Sequence, residues 1–466
     1  MPMIIPASDK TSRIEAFGYK QELKRSLTLS DLLVYGLVFI VPIAPIPVFG
    51  IVYNASHGMV PLIYLVGLVA MLFTALSYMA LSRAFPVAGS VYTYAARSIG
   101  PAAGFVAGWA ILLDYLLIPT LTYVACAIAM HATLPLVPKP VWVVSLLVLA
   151  TLINYFGIET TARMNLVMLG LQLVLLVIFM SVGLYALSNH VGGAHLSLAP
   201  FYDPAALTPS LIFGALSLAV LSFLGFDAIS TLSEETKGGP NAVSRATMLS
   251  LCISAFLFVA QTYLASLFVL GRASFAPGDE TDTAFYGIAT MIGGNWLKIL
   301  LTVPAVLFAG IAGALTAQAA TARLLYGMAR DGQLPKLLAH VHPVRKVPDR
   351  AIFLIAAITL VLGLWLVDEL ELLASMVSFG ALLGFVMLQL SMMTHFLWRE
   401  KSRDWLRHLV IPAGGLAIIV YVLINAQIDA KIAGAAWMIV GLALFVGLKL
   451  AGRSTALPTE QSHPEF

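Results

Sequence analysis

VFIVPIAPIPVFGIV at 38–52 and SFLGFDAISTLSEET at 222–236 decide the reading of this chain. Each falls inside an apolar run long enough to cross a bilayer, and each carries something that a simple spanning helix avoids. Pro42, Pro45 and Pro47 remove backbone donors and clash with the preceding turn, so the helix is predicted to break among them. Gly225 sits between Phe223 and Phe226, directly before Asp227, and predicts a second break. A carboxylate at membrane depth costs about 2.5–3.5 kcal/mol even on the lenient insertion scale, so such residues face a watery path and a partner. Asp114, in LDYLLIP at 113–119, is a second acid of this kind.

Composition sets the frame around these two stretches. Hydrophobic residues make up 60% of the 466, charged residues 11%, and mean hydropathy is +0.93. A soluble domain of this length has too little polar surface to cover that apolar content, so the chain is read as an all-α, polytopic membrane protein. Its net charge of +3 gives no sign of a nucleic-acid partner. Cys126 and Cys252 both lie in apolar spans and suggest neither a disulfide framework nor a redox site. The polar start, Met1 to Ser30, lacks the short apolar core and cleavage site of a signal peptide.

Apolar runs of spanning length fall at about 31–53, 60–84, 102–132, 140–157, 165–187, 209–233, 244–271, 296–329, 351–367, 372–396, 408–425 and 432–451. These predict twelve transmembrane helices, the third and eighth over-long. If the N-terminus is cytoplasmic, all 26 Lys and Arg lie on that side except Lys139, Arg272, Lys298 and Lys431. So lopsided a split places both termini in the cytoplasm of a multi-pass inner-membrane protein. Segments 1–30 and 452–466 are then cytoplasmic tails, 31–396 the ten-helix transport core, and 397–451 two added helices. The breaks stand five spans apart, so the second set of five runs upside down relative to the first. Matching interruptions in inverted halves point to the binding site of a secondary transporter.

Two mid-membrane acids with no buried Lys or Arg predict a cationic solute. Asp227 is the first candidate to meet it, its plain alternative being to cap the second half of the sixth span. Asp114 is the second, with a fixed hydrogen bond to Tyr115 or Tyr123 as the alternative. Either acid is also a candidate proton carrier. Phe223, Phe226, Tyr35, Tyr115 and Phe379 are candidates for an aromatic cage, since ring faces attract ammonium groups by about 0.5–2 kcal/mol. Glu234 and Glu235 are expected to face solvent or loop arginines, and Arg323 and Arg330 to anchor the topology and an inner gate. His131 and His395 lack ligand spacing and suggest no metal. No nucleotide-binding loop or zinc-protease helix is present, so neither a cofactor nor an enzyme activity is expected.

Several motifs resemble those of the amino acid–polyamine–organocation superfamily. They are FPVAGSVYTY at 85–94, RLLYGMARDGQLP at 323–335, VHP at 341–343 and the two acid-bearing stretches at 113–119 and 222–236. Within that superfamily the chain is most similar to bacterial putrescine importers. The resemblance implies a five-plus-five inverted-repeat core, with substrate held at the breaks of spans one and six by Ile43, Ala44 and Gly225 among others. It also implies proton-driven import of a small cationic amine such as putrescine or ethanolamine. Where amino acid permeases of this superfamily carry a Gly-Ser/Thr-Gly element, this chain reads Pro42-Ile43-Ala44, a poor seat for a carboxylate. Where many of them place a Lys in the fifth helix, it has Gln172, which carries no charge. An amino acid permease or exchanger is the alternative, ahead of a membrane sensor and an intramembrane enzyme.

Overall fold

A computed structural model of the chain describes residues 27–450, apart from 86–89, 157–161, 238, 305, 307–309, 331, 344 and 346, and apart from the side chains of 162–165, 231, 233–235 and 240. The two tails, most of the FPVAGS stretch and the side chains of Glu234 and Glu235 therefore lie outside the described residues. Everything regular that is described is helical. The single β-type contact is a parallel bridge between Leu27 and Thr236, with the Lys237 amide donating to the Leu27 carbonyl at 2.9 Å.

α1 (Leu29–Ile40) opens on a capping box. The Asp31 amide donates to the Thr28 hydroxyl at 3.3 Å, and the Asp31 carboxylate accepts from the Thr28 amide at 2.8 Å. The helix stops at Val41 because Pro42 has no N–H to continue it, and α2 (Pro45–Ser56) starts with Pro45 at its first turn, where a missing donor does no harm. The two pieces are bent by 54°.

α3 (Val60–Ala84) follows, then α4 (Ser90–Ser98), which turns part of the predicted loop into a short, buried helix. α5 (Pro101–Thr133) is the longest element, and most of it is buried inside the molecule. α6 (Lys139–Phe156) and α7 (Ala162–Ser188) are more lipid-exposed, as befits a periphery. The sixth predicted span is again two pieces, α8 (Pro209–Ala219) extended by a tighter turn to Phe223, and a second tight helix, α9 (Asp227–Glu235).

α10 (Pro240–Leu267) leads to a short pair, α11 (Asp279–Asp282) and the largely buried α12 (Ala284–Gly293). The over-long eighth span is divided into α13 (Asn295–Pro304) and α14 (Ile311–Arg330). α15 (Asp349–Trp365), α16 (Leu370–Met393), α17 (Ile411–Asn425) and α18 (Ile428–Leu450) complete the chain. Among the described residues, eight helices are long and apolar enough to cross a membrane alone, and the bent α1–α2 pair makes nine. The twelve crossings expected from sequence would require α8 with α9 and α13 with α14 each to count as one span, and the shorter α15 as another.

Two contacts fix the frame around the breaks. Gly380 of α16 lies so close to α5 that a Cβ there would meet the Asp114 amide nitrogen at 2.7 Å and the Ala110 carbonyl at 3.2 Å. Trp109 of α5 and Trp437 of α18 stack at 4.6 Å, and each indole N–H donates to the other residue's carbonyl at 2.8 Å. Gly441, one turn on, leaves room for the Trp109 ring.

Lys139 joins α6 to α11 and to the loop before α16, reaching Asp279 at 2.7 Å and Asp368 at 2.8 Å. Asp282, only 8% exposed, has no such bond. Burial pushes its carboxyl up to about 6, with Asp279, Glu371 and Asp368 adding to the shift and Lys139 opposing it. A carboxyl whose pKa is raised in the folded state favours folding at low pH, and that advantage fades as pH rises from about 4 through about 6. Asp282→Asn should therefore raise the thermal midpoint at about pH 8, by the equivalent of about 1–2 kcal/mol once solvent screening is allowed for, and change little at about pH 4. Unfolding curves of both proteins at the two pH values check this.

Candidate functional site

The two helix breaks touch. A Cβ on Gly225 would sit 2.2 Å from the Phe39 ring and 3.1 Å from the Ile40 amide nitrogen. Gly225 also has φ of +114°, which side-chain-bearing residues rarely adopt, so glycine is required here twice over. Val41, at the end of α1, has φ of +61°, a strained setting for a β-branched residue of the kind that collects at functional sites.

The freed backbone groups at the first break are largely reused. The Ala44 amide donates to the Val41 carbonyl at 2.8 Å and the Ile46 amide to the Ile43 carbonyl at 3.0 Å. Gln261 of α10 supplies its side-chain amide to the Pro42 carbonyl at 2.9 Å. Pro42 and Pro45 have no N–H at all. The break therefore offers few donors. Its carbonyls are the better endowed half: the Val38 carbonyl loses its helical partner to Pro42, and the Ile40 carbonyl loses the Ala44 amide to Val41.

A cavity of about 170 Å³ opens on one side of this contact. Phe39, Ile40, Val41, Ile43 and Ala44 line it from the first break, Ile118, Leu121, Thr122 and Cys126 from α5, and Ser222 and Leu224 from the second break. Tyr286 of α12 and Leu370 of α16 close it towards the Lys139 face. No charged side chain stands in this wall.

The acids are not in the cavity wall. Asp227 is 3% exposed; one carboxylate oxygen accepts from the Gly225 amide at 3.2 Å and the other from the Tyr115 hydroxyl at 3.2 Å. Tyr115 is held in turn by its carbonyl, which accepts from Thr321 of α14 at 2.6 Å. Asp114 is 2% exposed, within electrostatic reach of Asp227, and its Oδ1 has no hydrogen-bond partner among the described atoms. Tyr78 of α3 lies in the field of both acids. Among the described residues, the fully buried charged side chains are Asp114, Asp227 and Asp282, and none is a Lys or Arg.

The residues singled out from sequence divide on this map. Ile43 and Ala44 line the cavity; Gly225, Asp227 and Tyr115 meet outside its wall, with Asp114 nearby. The aromatic cage does not gather around that space. Phe223 packs on Phe258 and Tyr64 at 5.3 and 5.9 Å, and Phe226 on Tyr78 and Phe385, both at 5.9 Å. Tyr35 lies further along α1, beside a cluster of Leu32, Ile229 and Leu232. Phe379 faces Gly434 of α18, away from the breaks.

The other residues weighed from sequence have local settings. Arg323 is exposed, and exposed Arg330 lies over the Tyr326 ring. His131 contacts the Val137 carbonyl, and His395 packs against Phe85. Gln172 is fully buried, with neither amide atom hydrogen-bonded among the described atoms. Sequence reasoning missed Gln261, Ser222, Thr122 and Tyr286. A lone polar residue in an apolar span, the signal used for the acids, marks Gln261 and Thr122 too.

A profile for the family described as Amino acid permease matches residues 30–448, which takes in both breaks, both acids and the cavity. The chain belongs to this family. Among its relatives, the low-affinity putrescine importer PlaP of Escherichia coli K12 is 34% identical over 90% of this chain and 93% of its own length. The branched-chain amino acid permease BcaP of Bacillus subtilis is 26% identical over 93% and 94%, and a methylthioribose transporter of the same organism 25% over 81% and 82%. The family's members named here are transporters or permeases, not enzymes, and this permease is a multi-pass membrane transporter with a small-molecule substrate.

The Tyr115–Asp227 bond is the polar tie between α5 and the second break. Tyr115→Phe should leave the fold intact but free one carboxylate oxygen, and Asp227→Asn should keep the shape while removing the charge. We expect substrate affinity to fall about tenfold or more in Asp227→Asn, against a typical cost of about 3–5 kcal/mol for stripping one partner from a desolvated pair. Tyr115→Phe should change it by less than Asp227→Asn does. Binding titrations on the purified variants, with thermal midpoints as the control for folding, check both.

Proposed function

We propose that this permease imports a small cationic amine by alternating access, with proton movement as the driving force. The observation that carries the reading is the pair of buried acids near two abutting helix breaks, with no buried Lys or Arg among the described residues to balance them. An ammonium that takes the place of the Tyr115 hydroxyl at Asp227 meets a carboxylate and the carbonyls released at Val38 and Ile40. A substrate carboxylate is less well served: at the first break the Val41, Ala44 and Ile46 amides are used internally, Pro42 and Pro45 have none, the Ile43 amide remains, and two acids stand close by. That mismatch amounts to several kcal/mol in a low-dielectric site. Similarity to a putrescine importer supports the same class, and ethanolamine is a smaller solute of the same chemistry.

In this reading the termini are cytoplasmic, as the Lys and Arg distribution favours. Tyr286 and Leu370 then stand between the cavity and the outside, and the Leu27–Thr236 bridge lies towards the inner end. Rocking of the broken spans α1–α2 and α8–α9 against their neighbours would carry the amine across. Asp114, with an oxygen left unbonded and Asp227 in range, is the proposed proton carrier. Gln172 has no proton to give.

Competition against labelled amine uptake in proteoliposomes tests the substrate class. Putrescine, ethanolamine and other amines should inhibit at least about tenfold better than their carboxylated parents, ornithine and serine among them. Equal inhibition by the amino acids would return the chain to the amino acid carriers of its family. For coupling, uptake should rise with a pH gradient that is acid outside, and Asp114→Asn should abolish that response. A response to sodium in place of pH would overturn the proton assignment.

A further inference from the structure

We infer that Lys139 is the positioning residue of a lid over the cavity: by holding Asp279 and Asp368 it keeps Tyr286 and Leu370 closed, and the cavity opens on that face when these ion pairs part. The inference depends neither on the amine reading nor on the orientation of the chain.

Three parts of the chain meet at this lysine. Its own backbone opens α6, Asp279 opens α11, and Asp368 stands two residues before Leu370, the first residue of α16. α11 runs on into α12, which carries Tyr286. Each ion pair therefore ends within a few residues of one of the two side chains that close the cavity. The α11 corner is fastened on its other side to the second half of the broken first span. There the Asn54 side-chain amide of α2 donates to the Phe275 carbonyl at 3.0 Å and reaches the Thr281 hydroxyl at 3.2 Å, and its oxygen accepts from the Phe275 amide at 2.8 Å. Gly50 of α2 has no space for a Cβ beside the Thr281 carbonyl. α6 and α16, in contrast, both pack on α5. Lys139 is thus an ionic tie between a lid joined to α2 and the helices around it.

The charges favour opening once that tie is lost. The Lys139 side chain is 13% exposed and its partner carboxylates 78% and 70%, so the ammonium is tucked under acids that water already reaches. Asp282 lies within electrostatic reach of Lys139 and of Asp279, Asp368 and Glu371. The seam carries two acids on the α11 side and two at the start of α16. Without the ammonium they repel across it.

The cavity wall supplies a reporter. Cys126 lines it and is 8% exposed, and the chain's other thiol, Cys252, is replaced by serine for the test. The full chain in lipid nanodiscs is treated with a charged methanethiosulfonate that cannot enter the bilayer, and modification of Cys126 is timed by mass spectrometry. Lys139→Gln should speed it about fivefold or more, and Lys139→Arg should restore the slow rate. Raising salt from about 0.1 to about 1 M should speed the reaction in the parent protein and leave Lys139→Gln unchanged, because screening acts on the pairs and not on packing of the lysine stem. The double variant Asp279→Asn, Asp368→Asn removes both pairs at exposed positions and should also label faster. Slow labelling in Lys139→Gln or in that double variant, or an equal salt response with and without Lys139, overturns the inference.

Discussion

Hydrocarbon offers a backbone no water to bond with, and that constraint shapes the centre of this molecule. Three prolines in six residues deprive the first span of donors, and the chain cannot leave the resulting carbonyls bare. Part of the answer is local, in the tight turns that close on Val41 and Ile43. Part is distant: Gln261 reaches in from α10 for the Pro42 carbonyl. What is left over lies against the second break, where the absence of a side chain at Gly225 lets two backbones meet. Asp227 accepts from the Gly225 amide with one oxygen and from Tyr115 with the other. That amide lies ahead of α9, whose first turn carries no side-chain cap, so the bond holds the break itself rather than capping the second half.

The fold was legible because its signals are backbone signals. Proline and glycine act through dihedral angles and missing donors, which are fixed by residue type, so both breaks and the all-helical class could be read directly. The acids were legible for a related reason, since charge in an apolar span is too costly to be incidental. Ring directions were not. Phe223 and Phe226 flank the break in sequence yet turn to Phe258 and Phe385, because a helical side chain's direction depends on which neighbour packs against that face. Phe379 is drawn outward by the space above Gly434. Tyr286 was missed for another reason: it comes from α12, in a stretch between spans, and a window tuned to membrane-length runs passes over it.

Family membership and site chemistry bear on different questions. The match over residues 30–448 establishes the class of protein, and relatives named for substrates from putrescine to branched-chain amino acids show how little the fold restricts what is carried. Substrate choice has to be argued from the side chains around the breaks. Here those divide, with aliphatic residues in the cavity wall and the acids outside it.

The reciprocal bonds between Trp109 and Trp437 have a consequence for the outermost helix. Lipid tails are as apolar as leucine, so greasy packing alone gives a peripheral helix no preferred height along the membrane normal. Two indole donors aimed at each other's carbonyls remove that freedom, since sliding α18 by one turn would strand both N–H groups in hydrocarbon. The helix is thereby keyed to α5 at a single level. In a thinner or thicker bilayer it cannot slip to match, and the mismatch must be absorbed by tilt of the whole assembly or by the lipid around it.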